Sequence, residues 1–374
     1  MKITALRAYA LEVATRLDIT PAVKTLSHQI CVVEIDTDEG ITGHGLTTIG
    51  LARPIREMVL CDAAPLLIGQ NPLAHEKLFD RLYWGLTPKG QTGTGMRAIS
   101  AIDIALWDIK GKALNMPIYQ LLGGARDKCQ IYATFGFGAY DRTELAEAAM
   151  AWREAGFHRL KMTVANGGLK RRDEPRPLKE LIEEDVRRVA AVREAVGAEA
   201  ELFIDANCSL DLYHAQELCT KLEPFGIEFF EEPITQNDVR AMADLRARTS
   251  IRLACGQNEA QPYRFRDLLI ARAVDILQPN VAISGGFTQC QKIAALANSF
   301  NISIDNGGAW PYANMHLQAG LGNGGLVEYH ASSVGVCQQI YIGLPEVKDG
   351  FIHLPDKPGL GYELDVAALA RFEL

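Results

Sequence analysis

Three side chains that could bind a divalent cation end three consecutive apolar runs of the sequence. They are Asp205, Glu231 and Gln257, and a Gly, Pro, Asn or Ser residue that indicates a turn follows each of them closely. Carboxylate and amide oxygens are hard ligands, and Mg²⁺ prefers such oxygens in near-octahedral geometry. The pattern therefore predicts a magnesium site, although acidic residues at strand ends also cap the helices that follow them.

The elements that would position these residues recur along the chain from about residue 130. Short apolar runs predict eight strands, at 130–135, 159–164, 200–207, 227–232, 251–257, 274–280, 301–306 and 326–330. Helical length and apolar spacing are found in stretches between them, such as 178–196, 212–222, 265–271 and 288–300. Strands that alternate with helices are typical of a parallel sheet, and eight such units predict a closed (β/α)₈ barrel, an α/β fold.

The chain before and after the predicted barrel has a different character. The first ~48 residues alternate apolar and polar positions, which predicts strands and a hairpin of 29–36 with 41–45. Apolar residues at helical spacing predict a long helix at 96–114. We therefore predict an α+β domain over 1–125, the barrel over 126–341, and a C-terminal segment over 342–374 that packs back on the first domain.

The composition argues against several classes of partner. The 374 residues carry a formal net charge of −8 and show no basic stripe, so nucleic acid is not an expected partner. No apolar run approaches the ~18–20 residues that span a bilayer, and charges interrupt the first 19 residues, where a secretion signal would be apolar. The eight cysteines have no metal-binding spacing and are typical of a reduced, cytoplasmic protein.

Barrels of this type carry their active sites at the carboxyl ends of the strands. The other polar residues at those ends are therefore candidates for catalysis or substrate binding: Lys161, Thr163, Asn207, Glu232, Asp275, Asp305, Asn306, Glu328 and His330. Glu328 and His330 are two residues apart on one predicted strand. Their side chains are therefore predicted to point to the same side, into the mouth of the barrel.

Several motifs extend over essentially the whole chain. They include AISAIDIALWDIKG at 98–111, QLLGG at 120–124, FIDAN at 203–207, FEEP at 230–233, VDILQP at 274–279 and PGLG at 358–361. Together they resemble the enolase superfamily, specifically the mandelate racemase/muconate lactonizing enzyme group. The resemblance implies an α+β capping domain over a modified barrel, a homo-oligomer, and a bound Mg²⁺. It also implies abstraction of the proton α to a carboxylate, with the cation as Lewis acid on the enediolate.

Gln257 departs from the pattern of this group. It stands where the third metal ligand, a glutamate in a Gly-Glu-Asn type of motif, is expected. The resemblance still implies a ligand there, because an amide oxygen is a hard donor and the glucarate dehydratase branch uses an amide at this position. The ligand set has one negative charge fewer, and Glu259 is the alternative third ligand.

Two catalytic positions depart as well. Lys161 matches the first lysine of a Lys-x-Lys motif, whereas Thr163 stands where the second lysine, the usual base, is expected. Lys161 is therefore expected to neutralise the substrate carboxylate or to act as the base itself, with a pKa depressed by the metal. Asp275 matches the aspartate of an Asp–His dyad, and Asn306 stands where the histidine is expected. Asparagine can donate a hydrogen bond but cannot relay a proton at neutral pH.

Other residues are expected to contact the substrate. Glu328 matches a glutamate that hydrogen-bonds substrate in this group, and Asn207, Thr163 and His330 are further predicted contacts. The long predicted loop at 164–177 carries four cationic side chains that could attract a sugar acid, although it could equally be a solvated loop.

These residues favour a Mg²⁺-dependent lyase of the acid-sugar dehydratase type, acting on a small hydroxy-carboxylate. A racemase or epimerase is less expected, because it needs bases on both faces of the substrate and both usual groups are altered. A cycloisomerase or lactone-opening enzyme of the same group is the alternative reaction. A catalytically depleted protein that binds a metabolite without turnover is the alternative from another class.

Overall fold

The computed structural model of the protein describes residues 1–48, 50–87, 91–171 and 178–374. The chain begins with a three-stranded antiparallel sheet: β1 (Ile3–Leu17), β2 (Lys24–Thr37) and β3 (Thr42–Thr48). Helices follow it: α1 (Ala52–Glu57), α2 (Ala64–Leu67), α3 (His75–Leu86), α4 (Gly93–Leu114) and α5 (Ile118–Leu121). The predicted hairpin is confirmed, and the long predicted helix is confirmed as α4.

All eight predicted barrel strands are confirmed. They are β4 (Lys128–Gly136), β5 (Arg159–Thr163), β6 (Glu201–Asp205), β7 (Ile227–Glu231), β8 (Arg252–Cys255), β9 (Ile276–Leu277), β10 (Ser303–Ile304) and β11 (Val327–His330). They pair in parallel in the order β10-β9-β8-β7-β6-β5-β4-β11. The ring closes where the amide of Asn306 donates to the carbonyl of Leu326, 2.8 Å away. The fold is therefore the expected modified (β/α)₈ barrel with an α+β capping domain.

Eight helices within the described residues surround the strands. They are α6 (Arg142–Glu154), α7 (Leu178–Val196), α8 (Leu212–Leu222), α9 (Val239–Arg246), α10 (Gln261–Ile270), α11 (Gly286–Ser299), α12 (Pro311–Gly320) and α13 (Ala331–Ile340). The predicted bounds of α7 and α8 are confirmed to the residue, because both helices have a polar outer face and an apolar inner face. Within the described residues, no helix is long and apolar enough to cross a membrane.

The interior of the barrel is apolar in the middle of the strands and polar at their carboxyl ends. One layer consists of inward-facing side chains from neighbouring strands: Tyr132, Phe203, Phe229, Ala254 and Ile276. The rings of Phe203 and Phe229 stack with their centroids 4.2 Å apart. Because side chains alternate along a strand, the residues two positions further on also face inward. Asp205 and Glu231 stand in these positions, so the packed layer is the floor of a polar mouth.

The last part of the chain contacts both the barrel and the capping domain. It contains β12 (Tyr341–Ile342), β13 (Val347–Lys348), β14 (Phe351–His353), β15 (Glu363–Leu364) and α14 (Val366–Phe372). Strand β14 pairs antiparallel with the start of β4, and β12 pairs with β15. The amide of Leu374 donates to the carbonyl of Ala10 in β1, 2.8 Å away.

Helix α4 connects the capping sheet to the barrel. It packs so closely on β3 that a Cβ atom at Gly43 or Gly45 would collide with helix carbonyl oxygens. On its other side, the indole of Trp107 donates to the hydroxyl of Thr288 in α11 (2.9 Å), and Asp103 accepts from the Thr288 amide (3.0 Å). The capping domain is therefore held on the barrel by buried polar contacts as well as by apolar packing.

We predict that Gly45→Ala destabilises the protein by about 1–3 kcal/mol, because the new methyl group would collide with the carbonyl of Ala101. Urea unfolding measures the change. Gly322→Ala is the matched control, since a Cβ there meets open space, and its free energy of unfolding is expected to stay within ~0.5 kcal/mol of the wild type. Equal stability of both variants would contradict the close packing of α4 on β3.

Candidate active site

A buried lysine lies at the centre of the barrel mouth. Lys161 on β5 is only 1% exposed, and its ammonium nitrogen contacts carboxylates from three other strands. The nitrogen lies 2.6 Å from Oε2 of Glu231, 2.8 Å from Oε1 of Glu328 and 3.6 Å from Oδ2 of Asp205. We call these four residues the Lys161 cluster. The structure thus brings the predicted carboxylates Asp205, Glu231 and Glu328 into contact with the predicted lysine.

The Lys161 cluster has more negative than positive charge. Burial, opposed by the charge of Lys161, raises the pKa of Asp205 and Glu231, and repulsion between the carboxylates adds to the rise. Burial by itself would lower the pKa of Lys161, but Glu231, Glu328 and Asp205 together raise it well above its usual value. These carboxylates therefore stabilise the protonated ammonium of Lys161.

Glu328 is a carboxylate of the Lys161 cluster whose two oxygens both have close hydrogen-bond partners. Besides Lys161, its oxygens accept hydrogen bonds from the hydroxyl of Thr134 (2.5 Å) and the amide of Ala309 (2.6 Å). Burial opposes ionisation, yet Lys161, the neighbouring His330 and the Thr134 hydroxyl hold the pKa of Glu328 below its usual value. The prediction that Glu328 points into the barrel is confirmed.

Gln257 lies between two carboxylates. Its amide nitrogen donates to Oδ2 of Asp205 (3.2 Å) and to Oε2 of Glu232 (3.1 Å). Glu232 is itself held by the amides of Asn258 (2.7 Å) and Asn237 (2.9 Å). A glutamine between two carboxylates presents its NH₂ group to both, and its carbonyl oxygen is then directed elsewhere. Burial and the charge of Asp205 raise the pKa of Glu232 to about 7.

The oxygen donors at the ends of β6, β7 and β8 fit a magnesium ion. Oε1 of Glu231 is buried and accepts no hydrogen bond from any described residue, although a buried carboxylate oxygen normally has a partner. Among the described residues, no group of three or more His, Cys, Asp and Glu side chains could hold a metal. The fit therefore requires the amide oxygen of Gln257 as the third donor beside Asp205 and Glu231, and so a turn of the amide, whose NH₂ group faces Asp205 in this structure.

The alternative third ligand, Glu259, does not join the cluster. Its carboxylate accepts from Asn237 (3.0 Å) and pairs with Arg264 (3.0 Å). These contacts fix Asn237, which in turn holds Glu232. Glu259 therefore supports the neighbours of Gln257 from outside the mouth.

The side chains of Asn306 and Thr163 are hydrogen-bonded to backbone carbonyl groups. The Asn306 amide donates to the carbonyls of Gly307 (2.9 Å) and Ala309 (3.2 Å), and its oxygen accepts from the Glu328 amide (3.1 Å). The Thr163 hydroxyl contacts the carbonyl of Gly136, 2.9 Å away. Asn306 thus shapes the turn after β10, and the expected hydrogen bond from it to an oxyanion is not supported.

Asn207 lies at the rim of the mouth. Its side chain is exposed, and its backbone has a positive φ of 46°. Its amide donates to Oδ1 of Asp205, 2.7 Å away, and so fixes that carboxylate. In the loop at 164–177, residues 172–177 lie outside the described residues, so the predicted cationic rim is described only in part.

Asp275 is not brought to the mouth, contrary to the prediction from the motif. It precedes β9 at the amino end of the barrel, where its carboxylate pairs with Arg246 (2.6 Å) and accepts from the amide of Leu253 (3.0 Å). Ile276 faces inward, so alternation sends Asp275 outward and Gln278 inward. This parity was the signal that would have identified Gln278, whose buried amide atoms have no hydrogen-bond partner among the described residues.

The chain belongs to the mandelate racemase/muconate lactonizing enzyme group of the enolase superfamily. Residues 5–123 match the family described as "Mandelate racemase / muconate lactonizing enzyme, N-terminal domain", and residues 144–368 match "Enolase C-terminal domain-like". These two matches cover the capping domain and most of the barrel, in agreement with the resemblance found in the motifs.

Curated relatives are similar over nearly their whole length. The chain is 36% identical to the D-galactarolactone cycloisomerase of Agrobacterium fabrum, over 100% of this chain and 99% of the relative. It is 30% identical to the arabinonate dehydratase of Saccharolobus solfataricus, over 90% of this chain and 88% of the relative.

Solved structures share the fold. The 3,6-anhydro-D-galactonate cycloisomerase from Zobellia galactanivorans has a TM-score of 0.88 and 32% identity, with 100% of both chains covered. A racemase from Streptomyces coelicolor A3(2), crystallised with bound magnesium, has a TM-score of 0.87 and 27% identity, also with 100% of both chains covered. The fold is thus found in a magnesium-containing neighbour.

We predict that Gln257→Glu destabilises the metal-free protein by roughly 2–4 kcal/mol, because a carboxylate replaces the donor between Asp205 and Glu232. The same change should tighten Mg²⁺ binding about tenfold by adding a negative charge to the ligand set. Urea unfolding and isothermal titration calorimetry measure the two effects. The matched double variant, Glu232→Gln with Gln257→Glu, exchanges donor and acceptor and is expected to recover most of the lost stability. No change in Mg²⁺ affinity for Gln257→Glu would exclude Gln257 as a ligand.

We also predict that Lys161→Met destabilises the metal-free protein by about 3–5 kcal/mol, because it leaves three buried carboxylates without their cation. Saturating Mg²⁺ should restore part of this stability, measured as the shift of the unfolding midpoint with and without the ion. Lys292→Met removes an exposed ion pair with Glu76 and serves as the control, expected to cost less than ~1 kcal/mol. A Lys161→Met protein as stable as this control would contradict the central role of the cluster.

Proposed function

We propose that the protein is a Mg²⁺-dependent enzyme that removes the α-proton of a sugar-acid carboxylate and expels the oxygen on the β-carbon. The observation that carries this proposal is the Lys161 cluster, with the unpartnered Glu231 oxygen and the amide of Gln257 beside it. Enzymes named for reactions of sugar acids are found among the relatives. A lyase of the dehydratase type is our first choice.

The cation would be held by Asp205, Glu231 and Gln257. When bound, it would act as a Lewis acid on the substrate carboxylate and stabilise the charge that develops as the α-proton leaves. Lys161 holds Glu231 and Glu328 in place and adds a fixed positive charge beside the reacting carboxylate. We therefore assign Lys161 an electrostatic role, since an ammonium group already paired with two carboxylates is a poor acceptor of protons.

The leaving oxygen distinguishes the two candidate reactions. In both, the α C–H bond breaks, a carbon–carbon double bond forms, and the β C–O bond breaks with its electron pair going to oxygen. A free hydroxyl leaves as water, which makes the enzyme a lyase. A ring oxygen stays attached to the product, which makes the enzyme a cycloisomerase. The similarity to the Agrobacterium cycloisomerase over the whole chain is the observation for which we keep this reaction as the second candidate.

A racemase is the least favoured reaction of the group. It would need a proton acceptor and a proton donor on opposite faces of the α-carbon. Thr163 and Asn306 do not titrate near neutral pH, and both side chains are engaged with the backbone. A β-elimination needs only one titratable group, because the same group can take the α-proton and give it to the leaving oxygen.

The test is a panel of aldonic, uronic and aldaric acids together with their lactones and anhydro forms, incubated with the protein and Mg²⁺. We expect at least one compound to react, and mass spectrometry distinguishes the loss of one water from an unchanged mass. Removing Mg²⁺ with a chelator, or the substitution Asp205→Asn, should lower the rate at least about 10³-fold. Full activity of Asp205→Asn would remove the metal from the mechanism. No reaction on the whole panel, with Mg²⁺ binding intact, would favour a protein that binds without turnover.

A further inference from the structure

The proposed elimination requires a group that takes the α-proton and returns it to the leaving oxygen. Thr163 and Asn306 cannot do this, and Lys161 is ion-paired to three carboxylates. A titratable side chain near the mouth, not engaged by the cluster, is therefore required. His330, which the sequence suggested as a substrate contact, meets this description.

His330 occupies the inward face of β11 at the mouth. It has the parity of Glu328, whose carboxylate lies 2.8 Å from the Lys161 nitrogen. In the strand register His330 pairs with Thr134, and Thr134 pairs with Lys161 on the next strand. The His330 ring also packs on Phe137, with the ring centroids 5.1 Å apart. His330 is therefore separated from Lys161 on β5 by a single strand, β4.

A serine connects this imidazole to a second histidine. Nδ1 of His330 lies 3.1 Å from the hydroxyl oxygen of Ser332, and that oxygen lies 2.7 Å from Nε2 of His28. Ser332 is fully buried at the start of α13, whereas His28 comes from β2 of the capping domain. Nε2 of His330 makes no hydrogen bond to any described residue. The hydrogen bonds thus connect His28, Ser332 and His330 in a row, and Nε2 of His330 is the ring nitrogen at the end of this row that could contact a substrate.

The single hydroxyl proton of Ser332 couples the two rings. When Nδ1 of His330 donates to the hydroxyl oxygen, the hydroxyl donates to Nε2 of His28, and Nε2 of His330 is a free proton acceptor. When the hydroxyl proton points to His330 instead, His28 is the donor to the hydroxyl, and Nε2 of His330 carries a proton. The two arrangements are neutral tautomers of His330, and passing from one to the other requires protons to move along the hydrogen bonds as the hydroxyl turns.

We propose that His330 is the catalytic acid–base group and that Ser332 and His28 are positioning residues that form a proton relay behind it. This inference rests on the proposed function. Nε2 of His330 takes the α-proton, while the electron pair of the α C–H bond forms the double bond and the pair of the β C–O bond leaves with oxygen. The same nitrogen then gives the proton to that oxygen, so that His330 returns to its starting form.

The relay lets the positive charge leave His330 between the two transfers. Nδ1 of His330 can pass its proton to Ser332, while the Ser332 hydroxyl proton goes to Nε2 of His28, so the charge moves to the capping domain. The reverse transfers return a proton to Nδ1 when Nε2 of His330 gives its proton to the leaving oxygen, so both histidines end in their starting forms. Burial lowers the pKa of His330 to about 4, and His28 and Lys161 act in the same direction against the partial compensation by Glu328. A charge held on His330 is therefore costly. Burial also lowers the pKa of His28, but Lys161 is not a cause of that shift, so moving the charge to His28 takes it away from Lys161.

The first experiment needs no substrate and uses the full chain with Mg²⁺ and ¹⁵N-labelled histidine. The ring-nitrogen resonances of His28 and His330 are followed by NMR in the wild type, Ser332→Ala and His28→Gln. We expect both substitutions to shift the Nδ1 resonance of His330. Ser27→Ala is the matched control, since this neighbouring hydroxyl contacts exposed Glu12 and lies outside the relay. An unchanged Nδ1 resonance in both relay variants would overturn the relay.

The second experiment uses an acid of the panel that the wild type converts. We expect His330→Gln to lower kcat about 10²–10⁴-fold, the usual contribution of a general acid–base group. Ser332→Ala should lower kcat about tenfold and change the pH profile of kcat, with KM little changed. His353→Gln, an exposed histidine on β14, is the control and should retain full activity. Calorimetric Mg²⁺ affinity checks that each variant is folded.

The outcomes separate this inference from the proposed function. Full activity of His330→Gln would overturn the catalytic role of His330 while leaving the enzyme itself established. A wild type that converts no acid of the panel would overturn the proposed function, and the catalytic role with it. A fall in kcat for His330→Gln, with the pH profile of Ser332→Ala unchanged, would support the catalytic residue and overturn the relay.

Discussion

A single ammonium group buried among carboxylates is the interaction on which the mouth of this barrel depends. Lys161 contacts Glu231, Glu328 and Asp205, which come from three different strands. Each carboxylate is buried, and together they would repel one another without a cation. Lys161 neutralises only part of this charge, and the unpartnered oxygen of Glu231 indicates where a second cation would act. The stability of the mouth and the proposed binding of the metal would therefore depend on the same few side chains.

The amide of Gln257 reduces the repulsion that comes from the same excess of negative charge. A glutamate in its place would face Asp205 and Glu232, whereas the amide donates a hydrogen bond to both. Glu232 in turn is fixed by Asn237 and Asn258, so the orientation of the amide is held from behind. The exchange of a carboxylate for an amide thus lowers the repulsion in the mouth and keeps one oxygen available as a donor.

The fold was predictable wherever burial left a periodic pattern. The bounds of α7 and α8 follow from their amphipathic spacing, and every barrel strand follows from an apolar run. The bounds of helix α12 could not be predicted in this way, because all of its residues are buried, which leaves no polar face to define a period. The start of helix α6 is marked by a local signal, a capping box of Asp141 and Glu144. The motif predicted the wrong place for Asp275, because a motif match does not take into account that side chains alternate between the two faces of a strand.

The sequence by itself determined which kinds of side chain reach the carboxyl ends of the strands, because alternation along a strand is a local property of the backbone. Asp205, Glu231, Glu328 and His330 could all be assigned to the mouth in this way. Only the tertiary structure decided which of them touch. His28 and Ser332 are 304 residues apart, and their contact exists because the capping domain lies on the eighth strand of the barrel. Contacts of this kind depend on how distant elements pack, and no local pattern of residues encodes that packing.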